Sequence, residues 1–154
     1  MQQPHGRPLS PADTALLDRL EAEGLTALVV SKNSELHRSS APGVAPLLEL
    51  LERFPQGLAG ATVADRVVGT CAARVFIHLR VNRVLALVGS VGARAILDAA
   101  GVEFHARRGV LEIRNRAGTD ACPFEQLARH LRRPAELIPA MRRRLAELRS
   151  GATR

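Results

Sequence analysis

The stretch RVLALV (Arg83–Val88), followed directly by GSVG (Gly89–Gly92), decides the fold. An apolar run without polar alternation is typical of a strand that is covered on both faces. The four residues after it are turn and capping types, and they predict a helix that ends at Ala100-Gly101. A buried strand that runs into a helix is the unit from which parallel sheets with helices on both faces are built.

On the N-terminal side of this unit the sequence predicts helices and one hairpin. Ser10-Pro11-Ala12-Asp13 has the residues of a helix N-terminus: a serine cap, a first-turn proline and an acid three residues after the cap. Leu25–Ser31 and Glu35–Arg38 are predicted as the two strands of a hairpin. A helix with an apolar stripe from Val44 to Phe54 follows, and apolar residues from Ala64 to Leu79 recur at helical spacing.

On the C-terminal side we expect two more strands and two helices. The segments Val102–Ala106 and Val110–Arg114 are separated by only three residues, too few for a parallel crossover, so the pair is predicted to be antiparallel. Helices are predicted over Pro123–Leu131 and Pro134–Arg149, and Pro139 is expected to interrupt or kink the second. The sequence therefore predicts an α/β protein, a three-layer α/β/α sandwich with a five-stranded mixed sheet.

Length and composition indicate one soluble domain. The 154 residues predict a loose tail over 1–9, a single domain over 10–149 and a short tail over 150–154. No apolar run has the length of a membrane span and the first residues do not have the pattern of a signal peptide, so we expect a cytoplasmic protein without membrane partners. Two distant cysteines exclude a disulfide scaffold and a four-cysteine metal site.

The positive charge is concentrated in the last third of the chain. Residues 107–154 contain twelve arginines and five acidic residues, which accounts for the whole net charge of +7. Such a region can bind nucleic acid, nucleotide phosphates or an acidic partner, or it can be a solvated helix face. The chain has no Trp or Tyr and four Phe, so it lacks the aromatic platform of single-strand binders, which makes nucleic acid the weaker alternative.

Three stretches resemble a known family. They are GVAPLLELLE (Gly43–Glu52), GATVADRVVGTCAA (Gly60–Ala73) and NRAGTDACPFE (Asn115–Glu125). On these stretches the chain resembles domain-of-unknown-function family 1893, an uncharacterised prokaryotic group, from about Leu16 to Leu148. The chain departs from the family pattern at Arg66, where a lysine is expected, and at Thr70, where a basic residue is common.

This resemblance implies a cytidine-deaminase-like fold without zinc. Zinc deaminases need three His or Cys ligands and a glutamate at the beginnings of two successive helices. At the places that we take to match, this chain has Ala64-Asp65-Arg66 and Ser90-Val91-Gly92-Ala93. We therefore expect no zinc-dependent deamination, no metal and no cofactor, and the sequence leaves open whether the protein is an enzyme.

Two glycine-rich segments are predicted to begin helices at the edge of the sheet where α/β proteins bind ligands. They are Gly60-Ala61-Thr62 and Gly89-Ser90-Val91-Gly92, and their backbone N–H groups together with Arg66 would suit a phosphate or a carboxylate. The same residues are also ordinary turn and capping residues. The ligand-binding residues predicted on this basis are Thr62, Arg66 and Ser90. Asn115 and Arg116 either join them from a loop or belong to a simple turn.

Asp65 and Cys122 are the candidate catalytic residues. Asp65 is predicted in the first turn of a helix, where an acid also complements the helix dipole, and the resemblance places it where deaminases have a zinc ligand. Cys122 precedes Pro123 at a predicted helix start near Arg116, and both features favour a thiolate; the alternative is a half-buried capping residue. Cys71 lies on the buried stripe and is predicted to be inert.

The sequence supports two functional hypotheses. In the first, a deaminase-like pocket without zinc ligands binds a nucleotide or another phosphate-bearing small molecule. In the second, the protein is a non-catalytic module that docks on nucleic acid or an acidic partner through its C-terminal arginines, and a homo-oligomer is compatible with both. The arginines of the second hypothesis are Arg129, Arg132, Arg133, Arg142, Arg143, Arg144 and Arg149.

Overall fold

The structure is a computed structural model that describes residues 9–151. The predicted N-terminal tail, except for Leu9, lies outside the described residues, as do 152–154 of the predicted C-terminal tail. In the described range, six helices and five strands follow one another as α1 (Pro11–Ala22), β1 (Ala27–Ser31), β2 (Ser34–Ser39), α2 (Ala45–Arg53), β3 (Thr62–Val68), α3 (Thr70–His78), β4 (Arg83–Ser90), α4 (Val91–Ala99), β5 (Glu103–Val110), α5 (Pro123–His130) and α6 (Pro134–Gly151). The last helix runs past the predicted domain end at 149.

The five strands form one mixed sheet in the order β2-β1-β3-β4-β5. Strand β1 is antiparallel to both of its neighbours, whereas β3, β4 and β5 are parallel to one another. The mixed five-stranded sheet and the α/β class are thus confirmed. The central strand β4 is the RVLALVGS segment, which is paired on both sides as its apolar run indicates.

Helices cover both faces of the sheet, so the chain has three layers. Helix α1 packs on one face, where Leu17 and Leu20 form a small cluster with Leu28, Ala64 and Leu85 of the strands. The larger core lies on the opposite face, under helices α2 to α6. Neighbouring residues of a strand belong to opposite clusters, as the two-residue period of a strand requires. None of the helices formed by residues 9–151 is both long and apolar enough to cross a membrane.

The largest error of the sequence analysis concerns Thr62–Val68. We predicted that the apolar residues from Ala64 onward belong to one helix, but this segment is strand β3 and the helix begins only at Thr70. Thr62–Val68 pairs with β1 on one side and β4 on the other, and tertiary pairing overrides the local periodicity. Asp65 is therefore a strand residue, and Gly60-Ala61-Thr62 does not begin a helix.

The predicted antiparallel pair at the end of the sheet is also wrong. Residues Arg107, Arg108 and Gly109, which we predicted as a turn, continue β5 in parallel register with β4, with Arg108 opposite Val88 and Gly109 opposite Gly89. Gly109 does not have a positive φ, so the backbone has no reason to turn there. The segment Val110–Arg114 is not a separate strand.

A buried ion-pair network fixes α1 to the amino-terminal end of the parallel strands. The predicted capping box at Ser10 and Asp13 is confirmed. The same Asp13 carboxylate accepts two hydrogen bonds from the Arg83 guanidinium, at 2.6 and 2.5 Å, and Asp13 is only 3% exposed. Arg83 also pairs with Glu103 of β5. One arginine of the central strand thereby holds a helix and the neighbouring strand.

We expect Asp13→Asn to destabilise the protein in a pH-dependent way. Hydrogen bonds from Arg83 lower the pKa of Asp13 from 3.8 to about 2. A depressed carboxyl pKa contributes stability above pH 4 that is lost as the pH falls toward 2, and the shift corresponds to about 2 kcal/mol. Urea unfolding of Asp13→Asn at pH 7 should show this loss, and the difference from the parent should vanish near pH 2.

Asp18→Asn is the matched control for this substitution. It removes a carboxylate that pairs with Arg107 on the surface, where an ion pair contributes at most about 1 kcal/mol. Equal losses in the two variants would contradict the buried role of Asp13.

Candidate functional site

The most prominent cavity of the described residues lies at the carboxyl end of β3, on the face covered by α2 to α6. Its volume is about 730 Å³. The walls come from the beginning of α2, the end of β3, the beginnings of α3 and α5, the loop between β5 and α5, and the last turns of α6. Most wall atoms are apolar, contributed by residues that include Val44, Leu47, Val67, Ile113, Phe124, Leu145 and Leu148.

Four of the seven predicted site residues line this cavity: Asp65, Asn115, Arg116 and Cys122. Asp65 comes from β3 rather than from a helix, Asn115 and Arg116 from the loop after β5, and Cys122 from the position immediately before α5. The chain positions of the four are separated by up to 57 residues, yet the fold brings them to one cavity. The sequence predicted these four in one site together with Thr62, Arg66 and Ser90. The elements that carry the four were predicted only in part.

The other three predicted residues have structural contacts away from the cavity. Thr62 lies at the opposite end of β3, paired in the sheet with Arg83. The Arg66 guanidinium donates hydrogen bonds to the carbonyl oxygens of Leu20 and Leu25, at the end of α1. The Ser90 hydroxyl caps α4 by accepting a hydrogen bond of 3.0 Å from the Ala93 N–H. Arg66 and Ser90 thus stabilise two helix ends.

At Gly89–Gly92, the second segment predicted to bind an anion, other side chains of the protein lie against the glycines. A Cβ atom on Gly89 would lie 2.6 Å from the Phe104 ring, and one on Gly92 would lie 2.7 Å from the Thr70 hydroxyl. These contacts are closer than Cβ atoms tolerate, so the glycines are needed for close internal packing. The glycine-rich turn therefore reflects packing between β4, β5 and the beginnings of α3 and α4.

The beginning of α3 binds a carboxylate, and that carboxylate belongs to Glu125. Its two oxygens accept hydrogen bonds from the Thr70 N–H at 2.8 Å and the Cys71 N–H at 3.0 Å. A Cβ atom on Gly69 would lie 2.4 Å from Glu125 Oε1, so glycine is required at the N-cap. Sequence analysis missed Glu125 because its partners are 54 and 55 residues away and α5 gives no local sign of them.

Asp65 is the charged group of the inner wall. It is half-buried, and its carboxyl accepts a long hydrogen bond of 3.4 Å from the Val67 N–H of its own strand. Within the part of the chain that the structure describes, no Lys, Arg or His side chain forms a salt bridge with it. Burial without a compensating cation raises the pKa of Asp65 from 3.8 to about 7. A carboxyl in this range exchanges protons near neutral pH.

The two cysteines line the cavity at different depths. Cys71 is 2% exposed, and burial raises the pKa of its thiol, which confirms the expectation of an inert core cysteine. Cys122 is half-buried at the N-cap position of α5, and its thiol makes no capping hydrogen bond. Of the described histidines, none lines the cavity, so no imidazole serves as a base for Cys122.

Arginines at the cavity opening provide the positive charge. Arg116 and Arg149 are exposed, and neither guanidinium has a hydrogen-bond or ion-pair partner within residues 9–151. Arg114 lies beside them but pairs with Glu112 and donates to the Gly118 carbonyl. The cavity thus combines apolar walls, an unpaired carboxyl inside and two unpaired guanidiniums at its opening.

Three comparisons relate the chain to known proteins. A family model described as TM1506, a domain of unknown function (DUF1893), matches residues 15–145. A crystal structure of a DUF1893 family protein (TM1506) from Thermotoga maritima, at 2.70 Å resolution, is similar over 93% of this chain and 97% of that chain. The two are 25% identical in sequence, with a TM-score of 0.78. None of the curated proteins matches the chain.

Replacing the internal carboxylate should destabilise the site. In Glu125→Gln one carboxylate oxygen becomes an NH₂ group that faces a backbone N–H, so we expect a loss of about 2 kcal/mol in unfolding free energy. Because the chain has no Trp or Tyr, urea unfolding is best followed by far-UV circular dichroism. Glu112→Gln, which disrupts only exposed ion pairs, serves as control and should cost less than about 1 kcal/mol. Equal losses would refute the capping role.

The raised pKa of Asp65 predicts a titration near pH 7. A carboxyl whose pKa is higher in the folded than in the unfolded state favours folding at low pH, and this contribution is lost as the pH rises from about 4 to 7. Carbon-13 NMR of the aspartate carboxyl groups should show one resonance with a midpoint near 7 that is missing in Asp65→Asn. That variant should also be the more stable protein at pH 8. A midpoint near 4 would show that the carboxyl is solvated.

Proposed function

The chain belongs to the DUF1893 family, and from that premise we propose that its cavity binds a nucleotide or another small molecule that carries phosphate. The proposal rests on one observation: the cavity has apolar walls, and the guanidiniums of Arg116 and Arg149 at its opening have no partner within residues 9–151. A volume of about 730 Å³ falls within the range of small-molecule sites.

The position of the cations favours a ligand whose anionic group stays near solvent. Guanidiniums form paired, charge-assisted hydrogen bonds with phosphate oxygens. A guanidinium that has no partner within the protein can do so without breaking an existing ion pair. Helix beginnings usually assist in phosphate binding, but here the α3 beginning is occupied by Glu125 and the α4 beginning is capped by Ser90. The phosphate is therefore assigned to the arginines.

Two wall residues have chemistry beyond binding. Asp65 can take up or release a proton near neutral pH, and the Cys122 thiol is a nucleophile with access to the cavity. We keep both as the proposed catalytic residues and Arg116 as a ligand-binding residue. Asn115 is a wall residue whose side chain is bonded to Thr119. The proposal names no reaction, since nothing in the wall selects one.

We also propose that the fold is of the cytidine-deaminase-like type. What supports this is the order of the mixed sheet and the adjacent beginnings of α3 and α4, the two places where zinc deaminases carry their ligands. These helices begin with Thr70-Cys71-Ala72 and Val91-Gly92-Ala93, which corrects our earlier comparison with Ala64-Asp65-Arg66. One cysteine does not fit a zinc site, and no group of three or more His, Cys, Asp and Glu residues in 9–151 could hold a metal ion.

The alternative function, docking through the C-terminal arginines, has weaker support. Three of the seven arginines assigned to it form ion pairs within the chain: Arg129 with Glu112, Arg133 with Glu136 and Arg144 with Glu147. Pairing reduces the positive potential that a nucleic acid or an acidic partner would meet. The unpaired Arg149 belongs to the cavity opening, so both functions would use it.

Nucleotide binding is tested most directly on the protein as purified. Without Trp and Tyr the chain scarcely absorbs at the wavelengths of nucleobases, so a retained nucleotide dominates the ultraviolet spectrum. Calorimetric titration with the four ribonucleoside mono- and triphosphates, and with inorganic phosphate, then gives affinities. We expect Arg116→Ala combined with Arg149→Ala to weaken nucleotide binding about tenfold through loss of the phosphate contacts.

The control removes equal charge elsewhere. Arg132→Ala combined with Arg143→Ala changes two exposed arginines that do not line the cavity, and it should leave nucleotide affinity unchanged. The proposed function fails if the parent binds none of the nucleotides, or if the control variant loses as much affinity as the test variant.

A further inference from the structure

We propose that Asp65 binds the 2′- and 3′-hydroxyls of a ribose, so that the cavity selects ribonucleotides over 2′-deoxyribonucleotides. The inference rests on the proposed function, because it concerns the same cavity and names the part of the ligand that meets its inner wall.

The alternation of β3 directs Asp65 to the cavity. Ala64 belongs to the cluster under α1, and Arg66 bonds the end of that helix, so these two residues face α1. Asp65 and Val67 alternate with them and line the cavity on the opposite side. Within its own strand the carboxyl accepts a long hydrogen bond of 3.4 Å from the Val67 N–H. The carboxyl can therefore accept further hydrogen bonds from a ligand in the cavity.

The surroundings of Asp65 determine what kind of group it accepts. A ligand phosphate cannot lie against it, because two anions would then share an apolar environment. No described side chain donates a hydrogen bond to it either, and other wall residues of the cavity, such as Val67, Val44 and Leu47, are apolar. The group that meets Asp65 must therefore donate hydrogen bonds.

A pair of adjacent hydroxyls meets this requirement in both protonation states of the carboxyl. Each hydroxyl can donate or accept, whereas a nucleobase edge has a fixed arrangement of donors and acceptors. This matters because the pKa of Asp65 is raised to about 7, so both forms are present at neutral pH. Acidic side chains bind ribose hydroxyls in the same way in dinucleotide-binding folds.

The remaining wall residues fix the orientation of the ligand, with the phosphate at the opening and the ribose at Asp65. They do not select a particular base. Arg116 and Arg149 are exposed at the cavity opening, whereas Asp65 is half-buried and forms no ion pair with any arginine of residues 9–151. Phosphate and ribose thus have separate positions. The base is left with aliphatic walls such as Leu145 and Leu148, and the Asn115 side chain already bonds Thr119.

The test compares ribonucleotides with their 2′-deoxy counterparts. Calorimetric titrations of the parent with ADP and 2′-deoxy-ADP, and with the same pairs for the other three bases, should show about tenfold weaker binding of the deoxy forms, the loss of one hydrogen bond to a charged acceptor. In Asp65→Ala both nucleotides lose the contact of the 3′-hydroxyl, and the ribonucleotide also loses that of the 2′-hydroxyl. The two affinities should therefore become equal and lie below that of the deoxy form in the parent.

Val67→Ala is the matched control, since it changes the same strand and the same wall but keeps the carboxyl. It should preserve the ratio of ribo to deoxy affinity, whatever its effect on overall binding. Equal affinities for both sugars in the parent, or a preference that persists in Asp65→Ala, would overturn the inference while leaving the proposed function standing. Absence of binding by every nucleotide would overturn both.

Discussion

The structure around the cavity depends on one interaction, the Glu125 carboxylate against the beginning of α3. Two backbone N–H groups at the helix beginning each donate to one of its oxygens, one in a buried and the other in a partly buried position. The contact fixes α5 against α3 across 55 positions of sequence and requires glycine at position 69. It also sets the position of Cys122, which immediately precedes α5 and lines the cavity. Loss of this contact would therefore change the inner wall of the cavity.

That internal carboxylate also explains how charge is distributed over the site. The positive end of a helix is a common place for a ligand phosphate, but α3 uses it for a side chain of the same protein. For this reason the proposed function assigns a ligand phosphate to the exposed guanidiniums at the opening. Arg116 and Arg149 are free for it because the nearby glutamates pair with other arginines, Glu112 with Arg114 and Arg129, and Glu147 with Arg144. The inner wall keeps only Asp65, without a cation.

Local chemistry in the sequence predicted what depends on near neighbours. The capping box at Ser10 and Asp13, the hairpin, the buried strand RVLALV and the Cys122 helix start all appear in the structure, because each is decided within a few residues. The prediction failed for Thr62–Val68, whose small and β-branched residues fit either a helix or a strand, and whose pairing with both β1 and β4 settles the choice. Of the seven predicted site residues, Asp65, Asn115, Arg116 and Cys122 line one cavity, whereas Thr62, Arg66 and Ser90 do not. Glu125 could not be found, since its partners follow only from the tertiary fold.

Asp13 of α1 and Asp65 of β3 show how position decides the role of a side chain. Asp13, which lies against the amino-terminal end of the parallel strands, has a bidentate arginine partner that lowers its pKa to about 2. Asp65, in the middle of β3, has none, and burial raises its pKa to about 7. The first arrangement stabilises the fold, whereas the second costs stability whenever the carboxyl is ionised. A protein gains nothing in folding from an unpaired acid in an apolar wall, so the side chain is best explained by a ligand that supplies the missing hydrogen bonds. The cavity that Asp65 lines extends past the carboxyl end of β3, the end where open α/β sheets bind their ligands.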